Sequence, residues 1–410
     1  MLAALLTVAL GFGQPVDRVT DMRVQGNTLT PDADIIALSG LPIGTELTPT
    51  LLDEAAVRLR KSGRFHRVEI LKRYASIADA SQILVVIIVD EGRVGIRAGA
   101  DGTSASTVRR RGPPLMFLPL LGSEDGYGFT YGALLSLPNV AGPHTRIAVP
   151  LTWGGERRAG LEYEKRFASE RLTRLRVGGS LLRRESAALA SVDRRKQTWI
   201  RGEREVVRAL RLGAWGGFDV VTFTGADSHV IRTGVDATVD TRVDPMLSRN
   251  AVYVRAAVER LAVRNSSAPV RTLLDANGYI GGPGASTIAV RVYRDAASMA
   301  VPAYLKVLRG RDGTLRGYRA GTVAGDSTAA GTVELRLPVS SPLSVGKFGV
   351  RGFVDAASAY DAGESVRRQR FDRGVGGGVW FTATVIRLAV DVARGSSGST
   401  RVQLSSGLLF

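Results

Sequence analysis

The chain has no cysteine. Disulfides, thiol nucleophiles and thiolate metal sites are therefore excluded. Histidine is scarce: His66, His144 and His229 are the only three, far apart and at no metal-ligand spacing. No metal and no cofactor are expected. No stretch approaches the ~20 apolar residues that a spanning helix needs. The run Ile83 to Val89 has the length of a buried strand. A nucleophile elbow, a phosphate loop and a zinc signature are also missing. The sequence thus reads as non-enzymatic.

Positive charge is plentiful. Fifty-five Lys and Arg face 38 Asp and Glu, a formal net charge of +17. Such a balance often marks nucleic acid or anionic lipid as a partner. Here the arginines stand singly along alternating segments, in no basic helix or tail, so nucleic acid is not expected. The apolar stretch Met1 to Phe12, followed by Gly13-Gln14-Pro15, reads as a signal peptide over residues 1–14. It departs from the usual pattern in having no Lys or Arg ahead of the apolar region, as a truncated signal would.

Residues 16–92 mix helix and strand signals. Arg18 to Val24 reads as a strand closed by Gly26-Asn27. Thr30-Pro31 and Thr48-Pro49 each start a helix, and Gly40 and Gly63 stop them. Leu51, Leu52, Ala55, Ala56 and Leu59 share one helical face. Phe65, Val68 and Ile70 suit a second strand and Ile83 to Val89 a third, giving the order β-α-α-β-β. The segments VQGNTLTPDADI, LLDEAAVRLRKSGRFHRVEI and LVVIIVDEG resemble a POTRA domain. The match runs through Gly26, Asn27, Ser62, Gly63, Phe65, Asp90 and Glu91. The resemblance implies a periplasmic module that binds unfolded or extended polypeptides along a sheet edge, where unpaired backbone groups are offered.

From 93 to 410 helical periodicity disappears. Leu175, Val177, Gly179 and Leu181 alternate with Arg174, Arg176, Gly178 and Ser180, and similar segments recur to the end. Repeated alternation with no covering helix is the signature of a transmembrane β-barrel, and about 16 antiparallel strands are expected, the first at 94–102 and the last at 400–410. Val402, Leu404, Leu408 and Phe410 fall on one face of the last strand. They resemble the C-terminal signal of outer-membrane barrels. Both barrel ends would then lie in the periplasm. The apolar segment Leu115 to Leu121, with Pro119, falls in the first extracellular loop of this count and has no role in it.

Between 295 and 327 the alternation breaks. Leu315-Arg316-Gly317-Tyr318 there resembles the loop-six signature of the BamA/TamA-type outer-membrane assembly and translocation superfamily, the bacterial surface antigen family. VDTRVDPMLSRN (Val239 to Asn250) and GFVDAASAY (Gly352 to Tyr360) resemble two further motifs of that family, the second with Ala357 where a Gly is usual. In the family, loop six folds into the barrel and its Arg pairs with acids on strands twelve and thirteen. Strand parity independently turns Glu334, Asp355 and Lys347 inward. A latch of Arg316, Gly317, Tyr318, Glu334 and Asp355 is therefore expected.

The resemblance implies an outer-membrane assembly, insertion or translocation factor for extended polypeptide clients, monomeric and embedded in outer-membrane lipid. Its accessory periplasmic partners are unknown. The alternative is a two-partner secretion pore or a passive channel. A secretion pore of that type usually carries two POTRA copies and a plug helix. One copy suggests a specialised or accessory role. A first strand at 94–102, with only Ile96, Ala98 and Ala100 outward beside Gly95, Gly99 and Gly102, would pair weakly with the last and leave an opening seam.

Overall fold

The computed structural model describes residues 17–408 apart from 28, 66, 76–80, 92–93, 99–103, 109–114, 125–127, 168, 170, 187–190, 208, 246, 265, 267, 311–312, 320, 322, 340–345 and 384–385. The expected signal peptide and Phe410 lie outside the described residues, as does the side chain of Leu408.

The N-terminal unit contains β1 (Arg18–Gln25), α1 (Asp32–Ser39), α2 (Pro49–Lys61), β2 (Arg67–Tyr74) and β3 (Gln82–Asp90). The sheet order is β1-β3-β2, with β3 parallel to β1 and antiparallel to β2. β3 is central, which explains its unbroken apolar run: Ile83, Val85 and Ile87 are buried against Ile35, Leu52, Ala55 and Leu59 from the two helices. Thr48 caps α2 by accepting from Leu51 N at 3.4 Å. The first helix differs from a reading with Thr30 as cap and Pro31 as first helical residue: Pro31 occupies its cap position, and no side chain caps it. Gly40 and Gly63 take left-handed conformations after the helices, at φ 63° and 68°.

Next comes a separate hairpin, β4 (Val94–Ala98) and β5 (Ser104–Val108). The sixteen-stranded antiparallel sheet begins with β6 (Met116–Glu124), β7 (Gly128–Pro138), β8 (Thr145–Gly154), β9 (Glu156–Arg166) and β10 (Arg174–Ser186). It continues with β11 (Ser191–Val207), β12 (Leu210–Phe223), β13 (Ala226–Asp240), β14 (Ala251–Val263), β15 (Val270–Gly281) and β16 (Thr287–Ala297). A long loop follows, with short strands β17 (Val307–Leu308) and β18 (Ala324–Gly325). The sheet then resumes with β19 (Ser327–Val339), β20 (Gly346–Tyr360), β21 (Asp372–Ala383), β22 (Ile386–Gly395) and β23 (Thr400–Leu408).

The count of sixteen agrees with the sequence, but the first strand does not. It is β6, and Val94–Ala98, the described part of the expected first strand, pairs with Ser104–Val108 in the separate hairpin instead. The reason is local. The stretch Met116 to Leu121 is apolar at every position, so it shows no period of two and does not read as half-buried. The Gly-rich seam argument is corrected with it. The edge strand carries Pro119, which pairs opposite Ala133 of β7. Proline has no N–H to donate and is tolerated at a sheet edge. β6 and β23 stand side by side, yet among the described residues no ladder joins them, so the barrel is nearly closed.

Outward positions are aliphatic and exposed, such as Leu161, Val177, Leu181, Ile231, Val235, Val354 and Val402. Inward positions carry ion pairs. Glu164 receives Arg146 at 2.8 Å and Arg174 at 2.6 Å, Arg201 meets Asp236 at 2.9 Å, and Arg291 meets Asp275 at 2.9 Å. A charged wall on one side and an aliphatic wall on the other is the arrangement that lipid outside and a polar lumen inside require.

Candidate functional site

The loop between β16 and β19 enters the barrel at two places. Near its start, Val301 and Leu305 pack with Val221, Val230, Leu261 and Val263 on the inner wall. Arg195 donates to the Tyr304 carbonyl at 2.6 Å, and Arg271 donates to that of Leu305. This apolar floor on the first part of the loop was not foreseen. Val221, Val230, Leu261 and Val263 fall on inward parity, where a polar lumen would want polar residues, and that mismatch was the available signal.

Further along, Arg316 lies 7% exposed between three strands. Its Nε and Nη2 donate to the two oxygens of Asp355, each at 2.8 Å, and its Nη1 donates to Glu334 at 2.8 Å. The Arg316 backbone N–H also donates to Asp355, at 3.0 Å. The guanidinium stacks on Phe353, 3.2 Å from the ring centroid. Burial alone would weaken the charge on Arg316. The hydrogen bonds and charge of Asp355, with the charge of Glu334, outweigh burial and raise its pKa.

Three further side chains complete the network. Arg336 donates to Glu334 at 2.7 Å, Arg351 holds Asp391 in a two-pronged contact at 2.8 and 2.5 Å, and Asp391 lies 3.7 Å from Arg316. Three arginines thus balance three acids, so no buried charge is left alone. Asp391 alternates with Leu388, Val390 and Val392, so parity pointed to it as well as to Glu334 and Asp355.

Gly317 is held at φ 88°, and a Cβ there would lie 2.7 Å from the Gly395 nitrogen. The loop backbone presses on β21 and β22 too closely for a side chain. Tyr318 packs with Leu315, Ala330 and Ala357. Its hydroxyl meets Ser396 Oγ at 2.7 Å and accepts from the Ser397 N–H at 3.2 Å. From the last strand, Gln403 donates to the Tyr318 carbonyl at 3.1 Å. The tip therefore touches β19, β20, β21, β22 and β23 together.

The POTRA-like positions lie elsewhere, and structural roles account for them. Asn27 Nδ2 donates to the Thr30 carbonyl at 2.8 Å and to Asp32 at 2.7 Å. At Gly26, φ 86°, a Cβ would meet the Val89 carbonyl oxygen at 2.2 Å. Glu91 accepts from Leu29 N at 2.7 Å and Thr30 N at 2.9 Å. Phe65 is buried in the domain core, and Gly63 follows α2. Residues 44–47 lie along the first half of β1, through Val19 N donating to the Thr45 carbonyl at 3.0 Å and Leu47 N to that of Asp17 at 2.7 Å. β2 has no second ladder partner among the described residues. The domain contacts the barrel at its base: inward Lys347 of β20 donates to the Tyr74 carbonyl at 2.7 Å, and Arg73 faces Asp244 at 3.9 Å. Burial, and then the nearby charges of Asp17 and Asp244, push the Tyr74 phenol up to about 12. Val402 and Leu404 face outward from β23.

These features define a class: a sixteen-stranded transmembrane β-barrel with a loop latched inside it and a small α+β unit at its base. Residues 222–409 match the Omp85 superfamily domain. The fold is similar to that of BamA from Haemophilus ducreyi lacking POTRA domains 1-3, at 13% identity and a TM-score of 0.64, covering 95% of this chain and 84% of that one. It is also similar to CdiB from Escherichia coli, at 11% identity and a TM-score of 0.56 over 98% of this chain and 92% of that one. CdiB from Acinetobacter baumannii gives 11% identity and a TM-score of 0.51, over 96% and 74% of the two chains. No curated protein matches the sequence. The Omp85 superfamily match thus covers the later part of the barrel and the latched loop, within a fold similar to those of BamA and CdiB.

Proposed function

We propose that this protein is a non-enzymatic assembly, insertion or translocation factor for extended polypeptides. In this account residues 16–92 form a periplasmic POTRA domain, and the client adds to the outer edge of β2, since residues 44–47 occupy much of the β1 edge. The observation that carries the proposal is the combination of a seam between β6 and β23, which no ladder bridges among the described residues, with a loop whose tip grips the last strand. A seam not held by a ladder can open sideways and present strand edges to an extended client at the lipid boundary. The latch of Arg316, Glu334 and Asp355 keeps the lumen closed on its outer side while the seam works. A passive channel is disfavoured because the loop crosses the lumen from Arg195 and Arg271 to Gln403. Depletion followed by outer-membrane proteomics tests the proposal. Loss of particular barrel proteins is expected. Loss of one secreted protein alone would move the assignment to secretion, and no change in either would reject both.

A further inference from the structure

The strand register brings together charges that the sequence keeps apart. Arg157 of β9 stands opposite Arg183 of β10, and Arg183 stands opposite Arg194 of β11. Three arginines thus form a row across three adjacent strands, at the usual strand spacing of about 4.8 Å. One step along, Leu181 stands opposite Lys196. Parity puts all four on the outer wall with exposed Leu161, Val177, Leu181 and Ile200, and all four are exposed.

The inner wall of the same strands provides a contrast. There Arg158, Arg166, Arg174, Arg176, Arg184, Arg195 and Arg201 each have a carboxylate within 4.0 Å. None of Arg157, Arg183, Arg194 or Lys196 has such a partner among the described residues. The acids on the same outer face are Glu185, at the end of β10, and Asp227, two strands beyond Arg194, which accepts from Thr222 at 2.6 Å. Like charges directly opposite one another on a sheet are destabilising. A row of three needs a counter-charge from outside the chain.

The height of the row says which kind. From Arg157 down to Lys165 the outer wall of β9 rises about 20 Å along the membrane normal at ordinary strand tilt. Leu161 and Tyr163 lie between, so the row sits at one rim of the apolar belt, at headgroup level. It caps the end of β9 that follows the β8–β9 turn, which is the outer end if the N-terminal domain is periplasmic.

We propose that Arg157, Arg183 and Arg194, with Lys196 below them, bind the phosphate groups of a phosphorylated glycolipid in the outer leaflet. Guanidinium forks match phosphate oxygens, and two phosphates on one headgroup can satisfy a row of three. Phosphate on the lipid relieves the repulsion while the acyl chains cover Leu161, Leu181 and Val177. The outer-leaflet assignment rests on the periplasmic placement given under the proposed function.

The test uses the full chain in detergent, stripped of lipid and titrated with diphosphoryl lipid A while native mass spectrometry counts bound molecules. The variant Arg157→Gln/Arg183→Gln/Arg194→Gln is expected to bind on the order of a hundredfold more weakly, at roughly fivefold per charge. Arg183→Gln alone should lose about fivefold. The variant Arg260→Gln/Arg294→Gln removes two isolated outward arginines and should bind as the parent does. Equal affinity in the triple variant and the parent would overturn the site. So would full competition by inorganic phosphate at equal concentration, or equal binding of phosphatidylcholine. Labelling Arg183→Cys on intact cells with an impermeant maleimide separates the two levels. Labelling from outside supports the outer leaflet. Labelling only after permeabilisation overturns that leaflet and the periplasmic placement together, and leaves the lipid titration to judge the row itself.

Discussion

Arg316→Ala is the most informative single change in the latch. It removes the two side-chain hydrogen bonds that Asp355 receives and the one from Arg316 to Glu334, and leaves only the backbone N–H on Asp355. Asp355 is 0% exposed, so its charge would be left buried. Breaking a buried pair by removing one partner destabilises by about 3–5 kcal/mol. Glu334 keeps Arg336 at 2.7 Å and Arg351 at 3.7 Å, which favours the lower end of that range. A loss of about 3 kcal/mol shifts the docked-to-released ratio of the loop more than a hundredfold. Limited trypsin digestion of the folded barrel reads this directly, because Arg309 and Arg319 remain in the loop as cleavage sites. Cleavage there should accelerate by a similar factor. Asp355→Asn on its own should also loosen the loop, but added to Arg316→Ala it should have little further effect, giving a coupling above about 1 kcal/mol. Unchanged trypsin resistance in Arg316→Ala, or simple additivity in the double variant, would refute the latch.

Gly317→Ala forces a side chain into a left-handed conformation against the Gly395 backbone, so the loop tip should unseat, with about 1–3 kcal/mol of destabilisation in the same digestion assay. Glu91→Ala leaves two backbone N–H groups of the N-terminal domain without their acceptor; hydrogen exchange of Leu29 and Thr30 should speed up, with a loss of about 1–3 kcal/mol. The Tyr74 phenol has a raised pKa in the folded protein, so its contribution is complete below the ordinary value of 10.0 and is lost as pH rises through about 12. Ultraviolet titration should therefore show Tyr74 ionising late, and Tyr74→Phe should remove one tyrosinate from the late part of the curve.

The sequence made the barrel legible because its two walls differ in solvent. Lipid outside and water inside impose a period of two from β7 to β23, and the strand limits follow from it to within a few residues. Parity alone turned Glu334 and Asp355 toward the lumen, and it applied equally to Asp391. It failed at β6, where Phe117, Pro119 and Leu121 face outward while the intervening Leu118 and Leu120 are also apolar. The partners of Tyr318 were hidden for another reason. Ser396, Ser397 and Gln403 meet it only because the loop folds back across the lumen, a contact between elements about 80 residues apart that no local pattern encodes. The outer arginine row was hidden by register: Arg157, Arg183 and Arg194 look isolated until strands are paired.

The central claim is that the seam between β6 and β23 is the working part of the barrel. Because the chain has no cysteine, engineered pairs across that seam form the only disulfides possible. With a β6–β23 pair oxidised in reconstituted vesicles, insertion or translocation of an extended client should stop, and a reductant should restore it. Equal activity with the seam locked and unlocked would contradict the account.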